Sequence, residues 1–336
     1  MIAPMSAPLP ATGVWLFPEA PAPELVAAAE HAEALGFDEW WLGDEGPARE
    51  PFAVLAAAAV RTRRILLAVG IANPYTRHPG LTAATALTVH ELSGGRAILG
   101  VGAGGGLTLD PFELDAPRPL AAVERMIRLA RAVADDDSTE GYRPPEHRIT
   151  SDDVGVALPV YVGARGERLN RLASRVADGA FVAGLPPVRL DEVIGWVRSV
   201  RPVRVALYPS VAFDEHEIER SRPQMIWALV NTPDATRAAL GLDGAELCAA
   251  ADALRAGDER PARRIMTDEL LAEVLLTGAP DVVGRRLADL VRRHRPDSIG
   301  LALLQRDLTT AIDRCAEAMD AMRTALTDGA RAGTTP

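Results

Sequence analysis

The chain alternates short apolar runs with longer stretches in which apolar residues return every three or four positions. Eight runs read as strands: 13–17, 39–42, 65–71, 96–101, 159–163, 179–183, 203–211 and 298–304. Each is rich in Val, Ile, Leu or aromatic residues and is bounded by Gly or Pro. Helical spacing predicts helices over 23–35, 79–92, 120–133, 167–177, 281–293 and 307–326. Gly36 and Gly94 supply C-terminal stops, and Asp281 after Pro280 opens a helix. Eight strand-plus-helix units predict an α/β fold, the (β/α)8 TIM barrel, which normally takes roughly 250 residues. A doubly wound sheet shares the alternation and is the second reading. The surplus in this 336-residue chain concentrates at 214–278, a polar, alanine-rich helical insertion between strands seven and eight. The expectation is one domain over 1–336 with loose tails at 1–11 and 329–336.

Composition narrows the chemistry. Hydrophobic residues make up 48% and charged residues 24%, enough to bury a sizeable core. The 46 acidic and 36 basic residues give a net charge of −10, which disfavours nucleic acid as a partner. Every basic residue is arginine, so Schiff-base chemistry, a P-loop and a lysine base are excluded. Cys248 and Cys315 form no CxxC pair and fit free thiols in a reducing cytoplasm. The first basic residue is Arg49, so no charged leader is expected, and apolar runs such as 52–60 are too short to span a bilayer. His31, His78, His90, His147, His216 and His294 show no metal-ligand spacing, and no GxSxG is present.

In a barrel, chemistry sits in the loops that follow the strands' C-terminal ends. The loop after strand two carries Asp44-Glu45-Gly46, a carboxylate pair suited to acid–base work or to capping the next turn. After strand three, Gly70-Ile71-Ala72-Asn73-Pro74-Tyr75-Thr76-Arg77-His78-Pro79 packs more polar groups than a connection needs. Strand four ends in Gly102-Ala103-Gly104-Gly105-Gly106, which fails as a dinucleotide fingerprint and reads as a pocket wall. After strand five, Gly163-Ala164-Arg165-Gly166 precedes a helix whose exposed N–H groups favour an anion, with Arg165 placed to grip a phosphate or to face solvent. Strand six finishes at the same face on Ala183-Gly184.

Three stretches carry a family resemblance: GIANPYTRHPGLTAATALTVHELSGGRAILGVGAG (70–104), LPVYVGARGERLNRLASRVADGAFVAG (158–184) and TGAPDVVGRRLADLVRRHRPDSIGLALL (277–304). Through them the chain resembles the bacterial luciferase-like superfamily of flavin- and deazaflavin-dependent oxidoreductases. NPYTRHP is similar to the coenzyme F420 branch that includes methylene-tetrahydromethanopterin reductases. The resemblance implies a TIM barrel with a bulge and a non-prolyl cis peptide at the end of strand three. On this chain that bulge falls at Gly70, Ile71 and Ala72, behind the cofactor ring, with Asn73 beside it. It also implies phosphate binding at Gly163, Ala164, Arg165 and Gly166, a channel bordered by Ala183 and Gly184, and a substrate lid in the insertion.

Two departures bear on catalysis. Some members of the family carry an acidic residue on strand one or in the strand-four loop, where this chain has Val14, Trp15 and Leu16, and Ala103 and Gly104. F420-dependent members often place Asp-His after strand two, whereas this chain has Asp44-Glu45. The proton donors reduce to Glu45, with Asp44, Glu19 or His78 as helpers. The leading expectation is an F420-dependent oxidoreductase moving a hydride between the deazaflavin and a small organic substrate. The alternatives are an FMN-dependent monooxygenase served by a separate flavin reductase, and a non-catalytic homologue that binds a flavin or small ligand. The resemblance also implies a homodimer through helices flanking the barrel; the alanine-rich segments 52–60 and 81–89 suit either such a contact or burial against the neighbouring helix of the same barrel.

Overall fold

A computed structural model describes residues 9–139, 141–230, 232–304 and 307–332. The strands are β1 (Ala11–Leu16), β2 (Glu39–Leu42), β3 (Leu66–Ala72), β4 (Ala97–Val101), β5 (Val160–Gly163), β6 (Gly179–Ala183), β7 (Arg204–Tyr208), β8 (Ser210–Ala212), β9 (Leu275–Thr277) and β10 (Ser298–Leu303). β1 to β7 pair in sequence order, β7 pairs β10, and β10 returns to β1, all in parallel. This closes an eight-stranded barrel, the TIM architecture. Helices Ala22–Ala34, Pro51–Arg61, Pro79–Leu92, Pro119–Ala134, Glu167–Val176, Leu190–Val197, Pro280–His294 and Leu308–Ala332 accompany it. Five of them carry Pro in the first turn, where its missing N–H would be unpaired in any case.

The structure differs from the expected pattern in the seventh unit. Proline lacks the N–H that a central strand must donate. Pro209 accordingly divides the run expected at 203–211 into β7, which pairs β6 and β10, and β8, which pairs β10 and β9. β9 lies inside the insertion that was read as helical, and it attaches that insertion to the barrel rim. Short helices fill much of the rest and pack around Met225, Ile226, Leu229, Leu247, Met266 and Leu275. At the ends, Ala11 already belongs to β1 and the last helix runs to Ala332; 1–8 and 333–336 of the expected tails lie outside the described residues. Among the described residues no helix is long and apolar enough to cross a membrane.

The barrel lumen is solid. Trp41 stacks on Phe181 with ring centroids 4.3 Å apart, and Tyr208 lies 5.2 Å from Phe181. Tyr161 completes the aromatic filling at 5.8 Å from Trp41. Below them the buried Glu39 carboxylate accepts from Tyr208 OH at 2.8 Å, Trp41 Nε1 at 2.9 Å and Ser298 Oγ at 3.0 Å, all on Oε2. Burial pushes its pKa up, against the three donors that pull it down. Tyr208 fits because residues 13 and 300 are glycines, and a Cβ at Gly300 would fall 2.0 Å from its ring. Gly300→Ala is therefore expected to destabilise the protein by roughly 3 kcal/mol or more. Gly195→Ala, where a Cβ meets nothing within 4 Å on helix Leu190–Val197, should stabilise it by about 0.5–1 kcal/mol. Urea unfolding midpoints of the two variants check both signs.

Candidate active site

The filled lumen leaves the C-terminal rim as the place for a ligand. There the end of β3 departs from regular geometry. The peptide Gly70–Ile71 is cis, and the β3–β4 register shifts between Val69 and Ala72. Trp15 Nε1 donates to Gly70 O at 2.7 Å and ties this end to β1. The Ile71 side chain turns toward β4 and β5, where only glycine leaves room. A Cβ at Gly102 would lie 1.9 Å from Ile71 Cδ1, and one at Gly163 would lie 2.7 Å from Ile71 Cγ2. Gly163, expected in a phosphate-binding turn, is thus required by the β3 bulge.

Asn73 follows directly and is 1% exposed. Its Oδ1 accepts from Tyr75 N and Thr76 N, both at 3.0 Å, and from Thr76 Oγ1 at 3.3 Å. Those three donors fix which end of the amide is oxygen. Nδ2 is left buried without a partner, which costs free energy unless a ligand completes it. Asn73 helps line a cavity of about 380 Å³, together with Asp44, Phe52, Tyr75, Arg77 and Phe112. Arg77 reaches Glu50 at 3.2 Å and Thr85 Oγ1 at 2.8 Å. His78 is exposed and caps helix Pro79–Leu92, its Nδ1 accepting from Gly80 N at 3.2 Å. Glu19 is exposed as well.

Asp44 and Glu45 sit half-buried in the loop after β2. Burial, reinforced by the Glu50 carboxylate and opposed by Arg77, pushes Asp44 up to about 6. Burial first and Asp44 second push Glu45 up to about 7, against the Arg165 guanidinium and the Thr108 hydroxyl. Thr108 Oγ1 lies 3.5 Å from Glu45 Oε2 and 3.3 Å from Asp44 O. Glu45 can therefore both hold and release a proton near neutrality.

At the end of β5, Arg165 reaches the insertion. Its NH1 donates to Trp227 O at 3.1 Å and Ala228 O at 2.9 Å, in helix Ile226–Val230 of the insertion. Gly184, with φ +60°, leaves space for the same guanidinium: a Cβ there would lie 3.3 Å from NH2. The turn itself is held by Asn170, whose Nδ2 donates to Gly166 O at 2.9 Å and Ala164 O at 3.3 Å. Gly166 caps helix Glu167–Val176 without a side-chain acceptor, and a Cβ there meets nothing closer than 3.8 Å. The helix N-terminus remains open to an anion at 164–167. Sequence reasoning missed Trp15, Thr108, Asn170 and Trp227. Asn170 had a readable signal, an amide one turn past a glycine turn; the others meet their partners across 55, 63 and 62 residues, which no local pattern encodes.

The raised Glu45 pKa has a stability consequence. Between about pH 4.5 and 7 the native state keeps a proton that the unfolded chain has released, so this group's contribution falls as pH rises through that window. Glu45→Gln is expected to be more stable than the wild type by roughly 1–3 kcal/mol at about pH 8 and nearly equal to it at about pH 4. Urea titrations at both pH values check the difference.

The sequence matches the family described as luciferase-like monooxygenase over residues 6–295. It is 27% identical over 297 residues to the 5,10-methylenetetrahydromethanopterin reductase of Methanolobus tindarius, covering 83% of this chain and 90% of that one. It is 29% identical over 233 residues to the F420-dependent glucose-6-phosphate dehydrogenase of Nakamurella multipartita, covering 61% and 68%. Among solved structures, the coenzyme F420 dependent tetrahydromethanopterin reductase from Methanopyrus kandleri superposes with a TM-score of 0.80 at 24% identity, over 94% of this chain and 100% of that one. With the barrel and the rim geometry, these matches place the chain: it belongs to the luciferase-like monooxygenase family and is an oxidoreductase.

Proposed function

We propose that this oxidoreductase uses coenzyme F420 to transfer a hydride to or from a small organic substrate, with Glu45 as the proton donor and acceptor. The observation that carries the reading is the rim cavity that Asp44 lines together with Ala72 and Asn73 at the end of β3, next to the half-buried Glu45 carboxyl that burial pushes up to about 7. Similarity to a relative named as F420-dependent supports the choice of cofactor. The residues present fit a tricyclic ring: Gly70, Ile71 and Ala72 form an irregular strand end, and the orphaned Asn73 Nδ2 lacks an acceptor. The open helix start at Ala164, Arg165 and Gly166 fits an anionic tail, with Ala183 and Gly184 bordering the path.

The bound deazaflavin supplies the hydride chemistry. The chain supplies the remainder. Asp44 and Glu45 are close enough for their charges to interact, so ionisation of one raises the cost of ionising the other. Protonated Glu45 donates to the substrate atom that gains charge as the hydride arrives, and in the reverse direction it accepts that proton. Arg165 and Thr108 stabilise the carboxylate that remains. Asn73 orients the ring edge, while Phe52, Phe112 and Tyr75 wall the cavity that receives the substrate.

Titration of purified, cofactor-free protein with F420 and with FMN, each followed by fluorescence, tests the reading. Submicromolar F420 binding with weaker FMN binding is expected; preference for FMN would favour the oxygen-activating alternative with its reductase partner. Asn73→Asp keeps the three bonds to Oδ1 but turns the orphan donor into an acceptor. It is expected to weaken binding of the preferred cofactor about tenfold or more, and, because the new carboxyl is buried in the cavity that Asp44 also lines, to lower the melting temperature more at pH 8 than at pH 5.

A further inference from the structure

The rim cavity is unbalanced in charge. Its lining includes Asp44, Glu50 and Arg77. Arg77 and Glu50 meet at 3.2 Å, and the guanidinium also donates to Thr85 Oγ1 at 2.8 Å and lies 5.5 Å from the centre of the Phe52 ring. The other Glu50 oxygen accepts from Ala53 N at 2.7 Å and caps helix Pro51–Arg61. These two charges are matched. The half-buried Asp44 carboxyl, by contrast, makes no hydrogen bond or ion pair among the described residues. We propose that this cavity receives a substrate bearing a protonated amine on an apolar or aromatic body, and that Asp44 is the residue that selects it. That the ligand is the substrate rests on the oxidoreductase reading above, whereas the cavity's preference for a cation does not.

Each part of the wall fits that class. Phe52, Tyr75 and Phe112 supply flat apolar surface and ring faces that attract an ammonium group. Asp44 supplies a charge-assisted acceptor for its N–H groups. Asn73 Nδ2, buried and unpartnered in the same wall, independently marks the cavity as built around a ligand. Its partner is the cofactor edge, which leaves Asp44 and the aromatic side chains for the second reactant. A volume of about 380 Å³ suits a small molecule.

The other charge classes fit less well. An anion would face two carboxylates, and the guanidinium in the wall is already engaged by Glu50 and Thr85. A neutral ligand would take water from Asp44 and return no counter-charge. The net charge of −10 adds a field that draws cations toward the protein.

Benzylamine, benzyl alcohol and benzoate share one ring and differ in charge, so they read the selection directly. Their dissociation constants are measured at pH 8 by ligand-observed NMR, on cofactor-free protein and on protein saturated with F420. Burial and the Glu50 carboxylate push Asp44 up to about 6, so its carboxyl is ionised at that pH. In both forms benzylamine is expected to bind about tenfold or more tightly than the other two. Asp44→Asn should bring benzylamine down to the level of benzyl alcohol while leaving benzyl alcohol and F420 binding nearly unchanged. Phe112 is 49% exposed, so Phe112→Ala spares the core and should weaken benzylamine and benzyl alcohol alike. Equal binding of the three probes overturns the proposal, as does a preference that survives Asp44→Asn or is indifferent to Phe112→Ala. Benzylamine binding that F420 abolishes, or an Asp44→Asn variant that loses F420 as strongly as benzylamine, assigns the site to the cofactor and overturns it too. If F420 does not bind but the cofactor-free protein still selects benzylamine through Asp44, the cofactor reading falls and the cation site stands.

Discussion

The packing of Tyr208 into the space left by Gly13 and Gly300 decides where this protein can do chemistry. With Trp41, Tyr161 and Phe181 it fills the lumen, and its hydroxyl satisfies a buried Glu39. A filled lumen admits no ligand, so binding is displaced to the C-terminal rim. The same packing supports that rim from below. Trp41 lies 2.9 Å from where a Gly70 Cβ would sit, and Trp15 holds the Gly70 carbonyl. The irregular end of β3 is thus anchored on the aromatic core, and Asn73 just beyond it is oriented by Tyr75 N, Thr76 N and Thr76 Oγ1 of its own loop.

Electrostatics at the rim follow from the same constraint. The loop after β4 packs through Thr108 against the segment that carries Asp44 and Glu45, and burial takes water from two adjacent carboxyls. Desolvation raises both; Glu50 adds to the rise at Asp44 and Asp44 to the rise at Glu45, which the Arg165 charge opposes. The result is a carboxyl, Glu45, held up at about 7. It costs stability above its unfolded pKa, as functional sites often do.

Most of the barrel was legible because its strands are short apolar runs between Gly and Pro, and β2 and β6 match the expected 39–42 and 179–183. The bulge at Gly70–Ile71 was legible through the family resemblance alone, since no local pattern marks it. Two features were hidden by length and spacing. A proline inside an apolar run, Pro209, did not outweigh its neighbours, so β7 and β8 merged. The three-residue β9 was too short to stand out in a helical insertion. At the site, Glu45 and Asn73 could be singled out by type and position. The partners of Arg165 could not, because the insertion that receives it lies 62 and 63 residues away.

The chain thus combines a barrel with a filled lumen and a rim where residues of distant loops meet. The most direct measurement of its central claim is a crystal structure of the protein saturated with F420. The deazaflavin ring is expected against Gly70, Ile71 and Asn73, with its phosphate at the helix start after Arg165 and the Glu45 carboxyl beside the reacting face. A ring bound elsewhere, or Glu45 turned away from it with its carboxylate fully solvated, would contradict the assignment of both cofactor site and proton donor.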